Sequence, residues 1–359
     1  MRVANDASKP VLFVTGHVPA SRRGAFAALS QRTPIELALF GGRYLHGAPP
    51  AGAPTELPSR AVRQREVGAL VRSKNYRAVI VGTGGRVALP LAWRASRHAA
   101  VPFIFWAALW RTPRIAAHLA AWPLMAQIYR EAAAVVTYGP HVSRYVAAHG
   151  ARRIFVAPQA VDNDFWSGPA EARSDDRFAV LFVGRPAPEK GLAVLLDAWQ
   201  RSGLGAGAAT LTLVGEHRVE AAGVRSVGTL DPLQLRNSYA ACDVLVIPSI
   251  RTRRFIEPWA LVANEAMNQA CAIISSDAVG AAAGGLVRHG RNGLVVPAHD
   301  PAALAAAMRA LAEDRARCAE LGKTGSKDVM DYTYEAWADG FAQALAGPAS
   351  ASGNGSVTV

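Results

Sequence analysis

Short apolar segments that alternate with helical patterns dominate this sequence and restrict its fold. The clearest are residues 11–17 (VLFVTGH), 101–106 (VPFIFW), 179–184 (AVLFVG) and 210–215 (TLTLVG). A helix-like spacing of apolar residues follows most of these segments. Strands that are apolar along their whole length are typical of parallel sheets covered by helices on both faces. The pattern therefore predicts an α/β fold with doubly wound sheets.

The length of 359 residues is sufficient for two domains of ordinary size, and 51% of the residues are hydrophobic. A small, polar stretch at 167–176 (SGPAEARSDD) separates two series of strand-like segments, which indicates an interdomain linker. The predicted domains are therefore residues 1–166 and residues 177–331.

The C-terminal end of the chain predicts one more helix and a tail. Residues 332–346 have an amphipathic pattern that places Tyr334, Trp337 and Phe341 on one side. Residues 347–359 lack side chains that could form a core, and they predict a disordered tail.

The net charge of +12 is concentrated in the first half of the chain. Residues 1–170 contain 21 Lys and Arg against 7 Asp and Glu, whereas residues 171–359 contain 18 against 20. This asymmetry indicates an anionic partner such as a membrane surface, an anionic lipid or a glycan. We predict no nucleic-acid partner, since no binding motif is recognisable. The alternative is a basic proteome in which the charge has no specific role.

Cysteine usage and hydropathy favour a cytoplasmic protein. Cys242, Cys271 and Cys318 share no CxxC spacing and predict reduced thiols. Residues 1–10 are polar and show no secretory signal. The apolar run at 99–110 is too short to span a bilayer. Peripheral contact with the inner face of the membrane would be compatible with the charge distribution.

Two glutamates mark the stretch at 253–270 (RRFIEPWALVANEAMNQA) as a candidate site. The apolar spacing after Pro258 predicts a helix, with Glu257 in the loop before it and Glu265 about one turn inside it. The free amides near the start of such a helix attract anions such as phosphate. Two acids beside an anion site indicate a ligand that also offers hydroxyl groups, as a sugar or ribose does. The alternative is a capped surface helix with two solvated glutamates.

A second candidate segment, residues 184–191 (GRPAPEKG), follows the first predicted strand of the second domain. Arg185 and Lys190 flank a turn stiffened by proline, with a glycine at each end. A diphosphate leaving group requires fixed positive charge on a rigid loop of this kind. The alternative for this segment alone is a solvated basic loop.

Together the two segments resemble motifs of the family-4 retaining glycosyltransferases. Residues 257–273 (EPWALVANEAMNQACAI) are similar to the Glu-x7-Glu signature EPFGLVxxEAMAxGxPVI, and residues 184–191 are similar to GRLxxEKG. Ala260 and Ala270 stand where the signature has glycine, Asn268 replaces the usual alanine, and Gln269 occupies a variable position. The resemblance implies the GT-B fold: two Rossmann-like domains facing a central cleft, with a last helix that crosses back to the N-terminal domain. It also implies an N-terminal acceptor-binding and a C-terminal donor-binding domain.

The resemblance implies donor-binding roles for residues in both domains. Arg185 and Lys190 would bind the diphosphate, Glu265 the ribose hydroxyls, and Glu257 would lie against the transferred sugar. Val227, next to Gly228, corresponds to the segment that contacts the base. The donor-binding residues implied in this way are Gly16, Gly184, Arg185, Lys190, Val227, Leu261, Val262 and Glu265.

The resemblance also implies transfer with retention, in which a donor phosphate oxygen helps to take the acceptor proton. Many members carry a catalytic histidine where this chain has Trp106. His17, His118 and His141 are the candidate replacements, and His17 is preferred because it follows a strand at its C-terminal end. The catalytic residues predicted in this way are Glu257, Arg185, Lys190 and His17.

We predict neither a metal nor a cofactor besides the donor, which acts as a co-substrate. The DND sequence at 162–164 resembles an Asp-x-Asp metal motif. It lies, however, in PQAVDNDFW, which is similar to the interdomain segment PNGVDxxxF of the family.

The predicted activity is that of a hexosyltransferase. It would use a UDP-sugar or GDP-sugar and a hydroxyl acceptor, either a glycan, a lipid-linked compound or a small molecule. Two alternatives remain: a nucleotide-sugar epimerase, and a catalytically impaired glycan-binding or scaffold protein, for which Trp106 and Ala260 are the motivation.

Within residues 105–125 the sequence predicts a helix that has Arg111 and Arg114 at its start. Its apolar stripe is formed by Ile115, Leu119 and Trp122. We interpret the stripe as core, with a membrane-facing surface as the alternative.

Overall fold

The computed structural model describes residues 8–41, 57–171 and 176–346, and the chain divides into two compact units. Unit 1 consists of Met1–Trp110, Ala120–Pro158 and Tyr334–Val359. Unit 2 consists of Arg111–Leu119 and Gln159–Thr333. The predicted tail at 347–359 and the middle of the predicted linker, 172–175, lie outside the described residues.

Unit 1 alternates strands and helices, as the sequence pattern predicts. Its strands are β1 (Val11–Thr15), β2 (Ile35–Leu39), β3 (Ser59–Ala61), β4 (Ala78–Gly82), β5 (Phe103–Ala107), β6 (Ala134–Thr137) and β7 (Ile154–Val156). Its helices before residue 150 are α1 (Arg23–Arg32), α2 (Val67–Arg72), α3 (Ala88–Ala99), α4 (Ala116–Glu131), which begins in unit 2, and α5 (Pro140–Ala148).

Unit 2 repeats the same alternation. Its strands are β8 (Phe178–Val183), β9 (Ala209–Val214), β10 (Val224–Ser226), β11 (Val244–Ile247), β12 (Ala272–Ser276) and β13 (Gly293–Val296). Its helices are α6 (Asn163–Trp166), α7 (Leu192–Ser202), α8 (Pro232–Ala240), α9 (Val262–Asn268), α10 (Gly280–Ala283), α11 (Pro301–Glu313) and α12 (Arg315–Asp328). The last helix, α13 (Tyr334–Leu345), returns to unit 1.

Each unit contains a parallel sheet whose first strand lies in the interior of the sheet. Within the described residues the strand order is β3-β2-β1-β4-β5-β6-β7 in unit 1 and β10-β9-β8-β11-β12-β13 in unit 2. The order of the strands therefore reverses at β1 and at β8. Ligands of open α/β sheets bind at the carboxyl edge near such a reversal. The predicted doubly wound α/β fold is confirmed.

The sheet of unit 1 is covered on both faces, and α13 covers one of them. Phe13 of β1 points to this face, where its ring centroid lies 6.5 Å from that of Trp337 and 5.5 Å from that of Phe341. The Tyr334 hydroxyl donates a hydrogen bond to the carbonyl oxygen of Ser21 (3.0 Å). Trp337 and Phe341 are buried, as the apolar stripe predicted. The final helix is thus bound to the N-terminal domain through aromatic packing.

The contacts within unit 2 include two segments that the sequence analysis assigned to the first domain. The side-chain amide of Asn264 donates to the carbonyl oxygen of Gln159 (3.0 Å), and residues 159–166 belong to unit 2. The backbone amide of Arg114 donates to the carbonyl oxygen of Arg253 (2.8 Å), so residues 111–119 belong there as well. Neither contact is visible in the sequence, because each joins residues more than 100 positions apart.

The interpretation of the α4 stripe as core was wrong at Leu119, whose exposed fraction is 62%. Ile115 and Trp122 are half-buried, and Trp122 stacks edge-on against His149 at a centroid distance of 4.6 Å. The first turn of α4 presents mainly small residues, which explains why it has little apolar surface to bury. Among the described residues, no helix is long and apolar enough to cross a bilayer.

Candidate functional site

The predicted site residues of unit 2 follow the carboxyl ends of its strands. The loop after β8 carries Gly184, Arg185 and Lys190, the loop after β10 carries Val227, and the loop after β11 carries Glu257. Because the strands are parallel, these loops lie at one edge of the sheet. The fold therefore brings to one edge of the sheet residues that are up to 73 positions apart in the sequence, from Gly184 to Glu257.

Glu257 and Lys190 form a largely buried ion pair at this edge of the sheet. The Lys190 Nζ to Glu257 Oε2 distance is 2.5 Å, and the exposed fractions of the two side chains are 16% and 9%. The backbone of Glu257 is also fixed, since its carbonyl oxygen accepts a hydrogen bond from the amide of Gly280 (3.0 Å). An acid that was expected against a sugar and a cation that was expected against a diphosphate are therefore adjacent.

The loop at 184–191 is rigid for a steric reason at its last residue. Gly191 has a φ of +73°, and a Cβ at this position would lie 1.9 Å from the carbonyl oxygen of Pro248, so only glycine fits. Arg185 pairs with Glu189 in the same loop. The Nε of Arg185 is buried and has no hydrogen-bond partner among the described residues. A guanidinium with one unused, buried donor can bind an additional anion.

Glu265 lies one turn inside α9, as the sequence predicted, and its partner is Tyr239 of α8. The Tyr239 hydroxyl donates to Glu265 Oε2 (2.8 Å). Burial raises the pKa of Glu265 from 4.5 to about 7, and the hydrogen bond from Tyr239 lowers it in part. The carboxyl group can accept hydroxyl donors from a ligand, and doing so would favour its charged form.

Helix α9 begins at Val262, after a loop that contains Glu257, and Leu261 precedes it as the N-cap residue. Leu261 and Val262 are both half-buried. Asn264 fixes this end of the helix, because its side-chain oxygen accepts a hydrogen bond from the indole of Trp259 (2.8 Å). The sequence analysis did not identify Tyr239, Trp259 or Asn264. The polar side chain of Asn264 in an otherwise buried helical position was the available signal.

Ala260 and Ala270 keep the backbone conformation that glycine would adopt. Their φ angles are +80° and +54°, both in the left-handed region. For a residue with a Cβ this conformation costs about 1–2 kcal/mol. The two substitutions thus leave the course of the chain unchanged, and they add strain to both ends of α9.

Val227 and Gly228 lie beside the loop of Gly184. The amide of Gly215 donates to the carbonyl oxygen of Gly228 (2.8 Å), and a Cβ on Gly215 would lie 2.2 Å from the carbonyl oxygen of Gly184. The imidazole Nε2 of His217 is 2.7 Å from the same Gly184 oxygen. The two predicted donor-binding segments are therefore in contact through the backbone of Gly215.

In unit 1 the predicted residues Gly16 and His17 follow β1. The Gly16 carbonyl oxygen accepts a hydrogen bond from the amide of Gly41 (2.9 Å), and a Cβ on Gly16 would lie 2.9 Å from the Gly41 oxygen. Burial and the nearby charge of Arg22 lower the pKa of His17 below 6.5. His17 is therefore largely neutral at pH 7 and can accept a proton.

Trp106 lies at the end of β5 and packs within unit 1. Its ring is edge-on to Phe13 (5.8 Å) and Trp337 (5.8 Å), and the guanidinium of Arg22 lies 4.9 Å above it. The side chain is 7% exposed. At the position where the resemblance implies a histidine, this chain has an aromatic residue that packs against α13.

The other two histidine candidates differ from His17 in their surroundings. His118 is exposed on the first turn of α4, in a part of the helix that belongs to unit 2. His141 is buried in unit 1 and packs edge-on against Trp110 at a centroid distance of 5.3 Å. Neither follows the carboxyl end of β1, and we retain His17 as the candidate.

Asp162, the first acid of the DND sequence, caps α6. Its Oδ1 accepts a hydrogen bond from the amide of Phe165 (3.0 Å). The side-chain amide of Asn268 in α9 donates a hydrogen bond to the side-chain oxygen of the neighbouring Asn163 (3.0 Å). The segment therefore has structural contacts within unit 2, and the absence of a metal from it stays a prediction.

With the geometry known, comparison with solved structures defines the fold. HepE of Anabaena, solved with UDP, superposes with a TM-score of 0.74 over 94% of this chain and 99% of that chain, at 18% identity. The apo structure of OtsA gives 0.73 over 94% and 99%, at 13% identity. At these identities the similarity concerns the fold alone, which is GT-B.

Sequence comparison finds a family match within the second unit. Residues 177–314 match the family described as Glycosyl transferases group 1. The D-inositol 3-phosphate glycosyltransferase of Kineococcus radiotolerans is 32% identical over 228 residues, 52% of this chain and 50% of that protein. Glycogen synthase of Mycobacterium tuberculosis is 31% identical over 180 residues, 46% and 42% of the two chains. The matches thus span about half the length of these relatives.

Proposed function

We propose that this protein is a retaining glycosyltransferase that moves a sugar from a nucleotide-sugar to a hydroxyl acceptor without a metal. The observation that carries the proposal is the ion pair of Lys190 and Glu257 at the carboxyl edge of the unit 2 sheet, with Arg185 on the same loop as Lys190. The group 1 family match and the activities named for the relatives support it.

In the proposed mechanism the protein positions the donor and stabilises the leaving group. The charges of Arg185 and Lys190 would offset the negative charge that develops on the diphosphate, a role worth several kcal/mol when the donors are fixed in advance. Glu265 would accept the ribose hydroxyls, and Glu257 would accept hydroxyls of the sugar. The acceptor proton would go to a donor phosphate oxygen, with His17 as a second candidate acceptor.

The first donor to test is UDP-glucose, because HepE has also been solved in complex with this nucleotide-sugar. We expect UDP and UDP-glucose to raise the melting temperature of the purified protein, and GDP-mannose serves as the comparison. The rise should be lost in the double variant Arg185→Ala/Lys190→Ala. It should be kept in Arg152→Ala, which removes an exposed arginine just before β7, at the amino edge of the unit 1 sheet.

Product analysis tests the reaction itself. Proton NMR of the sugar product should show the same anomeric configuration as the donor, and inversion would contradict the proposed mechanism. The same spectra would reveal an epimerase, since the donor would be converted to a second nucleotide-sugar in the absence of any acceptor. Binding of the donor without turnover over a range of acceptors would favour a glycan-binding or scaffold protein instead.

We also propose a cytoplasmic location with reversible docking on an anionic membrane. The three thiols are compatible with a reducing compartment. Arg111 and Arg114 precede the exposed Leu119, and each such cation contributes on the order of 1 kcal/mol near anionic lipid. We expect co-sedimentation with phosphatidylglycerol vesicles that declines as salt rises. Equal absence from anionic and neutral vesicles at low salt would exclude docking.

A further inference from the structure

A small cleft in unit 2 is lined by four arginines and two threonines. Two segments form it: the residues just before α4, and the loop that leads from β11 to Glu257. Its volume is about 270 Å³, and its lining residues are Arg111, Thr112, Arg114, Arg251, Thr252 and Arg253. The candidate donor site does not include these residues, since it uses only Glu257 at the far end of the loop after β11.

The charge of the cleft is largely uncompensated. Arg251 pairs with Asp277 (2.8 Å). Arg111, Arg114 and Arg253 form no ion pair with any carboxylate of the residues that the structure describes. Within the part of the chain that the structure describes, no acidic side chain lines the cleft. Four like charges around one small volume repel each other, and an anion placed among them would reverse the sign of that interaction.

The walls of the cleft are held by backbone hydrogen bonds. The amide of Arg114 donates to the carbonyl oxygen of Arg253 (2.8 Å), which joins the two segments. The hydroxyl of Thr252 accepts a hydrogen bond from the amide of Phe255 (2.9 Å), and the amide of Thr252 donates to the Phe255 carbonyl oxygen (2.9 Å). Arg253 therefore projects from a closed turn to which the backbone of Arg114 is bound, and a wall fixed in this way reduces the entropy lost when a ligand binds.

The same loop connects the cleft with the candidate donor site. At its start, the amide of Ile250 donates to the carbonyl oxygen of Glu189, which lies between Arg185 and Lys190 (2.9 Å). At its end, Glu257 pairs with Lys190. Residues 251–254 include Arg251 and Arg253 of the cleft. The loop that contains them is thus bound at its start to the 184–191 loop and at its end, through Glu257, to Lys190.

We propose that this cleft binds a phosphate group, or a dianion of similar geometry, that is carried by the acceptor. The assignment to the acceptor rests on the proposed function, whereas the anion site itself does not. Arg111, Arg114 and Arg253, which have no carboxylate partner among the described residues, offer more donors than one carboxylate ligand can use. A tetrahedral dianion can accept several forked guanidinium contacts at once. The volume suits a charged group and part of its carrier and is smaller than a typical site for a whole ligand.

The test measures anion binding directly, with inorganic phosphate as the probe. Phosphorus NMR titration at constant ionic strength is carried out on the full chain with UDP present, so that the proposed donor site is occupied. The double variant Arg111→Gln/Arg253→Gln should weaken phosphate binding at least tenfold, since it removes two charge-assisted contacts to the anion. The matched control Arg152→Gln should stay within twofold of the wild type. Melting curves establish that the variants are folded.

Two further arms identify the source of the phosphate. Glucose 6-phosphate is compared with glucose, and phosphatidic acid vesicles are compared with phosphatidylglycerol vesicles of equal surface charge, in the wild type and in the double variant. Dependence on the two arginines in either arm supports the cleft and assigns its ligand to a soluble or a lipid phosphate. Equal binding of all probes to the wild type, the double variant and the control would overturn the proposal.

The outcome is separable from that of the proposed function. Phosphate binding that depends on Arg111 and Arg253 in a protein that transfers no sugar from any donor would support the anion site and contradict the transferase. For that case the titration is repeated in Arg185→Ala/Lys190→Ala, which lacks the proposed diphosphate contacts. The proposal would be wrong if Arg185→Ala/Lys190→Ala lost phosphate binding while Arg111→Gln/Arg253→Gln kept it, because the anion would then bind at the proposed diphosphate contacts.

Discussion

Glu265 should make unit 2 less stable as the pH rises from 4.5 to 7. Burial raises the pKa of this carboxyl group to about 7 in the folded protein, against 4.5 as its ordinary value. Between these two values the folded protein keeps a proton that the unfolded chain has lost. The free energy of unfolding therefore falls as the pH rises through this window, and it is level above pH 7. The rise in pKa corresponds to roughly 3 kcal/mol.

The perturbation that isolates this effect is Glu265→Gln. Glutamine cannot ionise, and its side-chain oxygen can still accept the hydrogen bond from the Tyr239 hydroxyl. At pH 4.5 the variant and the wild type should unfold at nearly the same temperature. At pH 8 the variant should unfold roughly 6–12 °C higher, since 1 kcal/mol shifts the melting temperature of a domain of this size by about 2–4 °C.

The assay is calorimetric unfolding between pH 4.5 and pH 8.5, and the control is Glu313→Gln. Glu313 is an exposed acid on α11 that pairs with no cation of the residues that the structure describes, so its variant should follow the wild-type profile. Parallel profiles of Glu265→Gln and the wild type would refute the assigned burial of the carboxyl group.

The same carboxyl group reports on the proposed ribose contact. If the ribose hydroxyls donate to Glu265, they favour its charged form and lower its pKa. Binding of UDP-glucose, whose diphosphate has no group that titrates near neutral pH, should then release a proton at pH 6.5. The release is seen as a dependence of the calorimetric binding enthalpy on the ionisation enthalpy of the buffer. Glu265→Gln should abolish the release. Proton uptake by the wild type would contradict the ribose assignment.

Three further predictions concern the remaining parts of unit 2. Arg185→Ala should lower turnover by about two to three powers of ten with little change in melting temperature. Lys190→Ala should lower both turnover and melting temperature, because it leaves a buried carboxylate without its cation. Near-wild-type turnover of both variants would contradict the proposed stabilisation of the leaving group. Activity should survive EDTA; loss with EDTA and recovery with magnesium or manganese would show that a metal takes part, with Asp162 as the first ligand to examine. Ala260→Gly and Ala270→Gly should each change stability by up to about +1 kcal/mol, since relief of left-handed strain (about 1–2 kcal/mol) exceeds the added freedom of the unfolded chain (about 0.4–1 kcal/mol); a lower melting temperature in both variants would contradict the strain.

The sequence was sufficient for the fold because the main determinants of the two sheets are local. Long apolar strands followed by helical patterns predicted both series of strands, and β8 and β9 begin and end within one residue of the predicted segments 179–184 and 210–215. Strand β3 was missed because its three residues, Ser59–Ala61, are all exposed and carry no apolar pattern. Helix α12 was missed because its surface is mostly charged and its buried residues are small.

The residues that form the candidate site could be predicted from the sequence better than the contacts between their side chains. Local motifs identified Arg185, Lys190, Glu257 and Glu265, and the structure places all four in unit 2. That Lys190 pairs with Glu257, rather than standing alone as a cation, follows from the register of β8 and β11, which no local pattern contains. The partner of Glu265 likewise depends on how α8 packs beside α9.

Trp106 and His17 show how a missing catalytic histidine can be understood from packing. The alternation of β5 directs Ile104 and Trp106 to the face that α13 covers, so a histidine at 106 would lie among aromatic rings. Burial lowers the pKa of His17, and the charge of Arg22, which lies over Trp106, lowers it further and so favours the neutral imidazole. A neutral imidazole at the carboxyl end of β1 can accept a proton, whereas an indole cannot. If a side chain of unit 1 accepts the acceptor proton in the proposed reaction, His17 is therefore better placed for the role than residue 106.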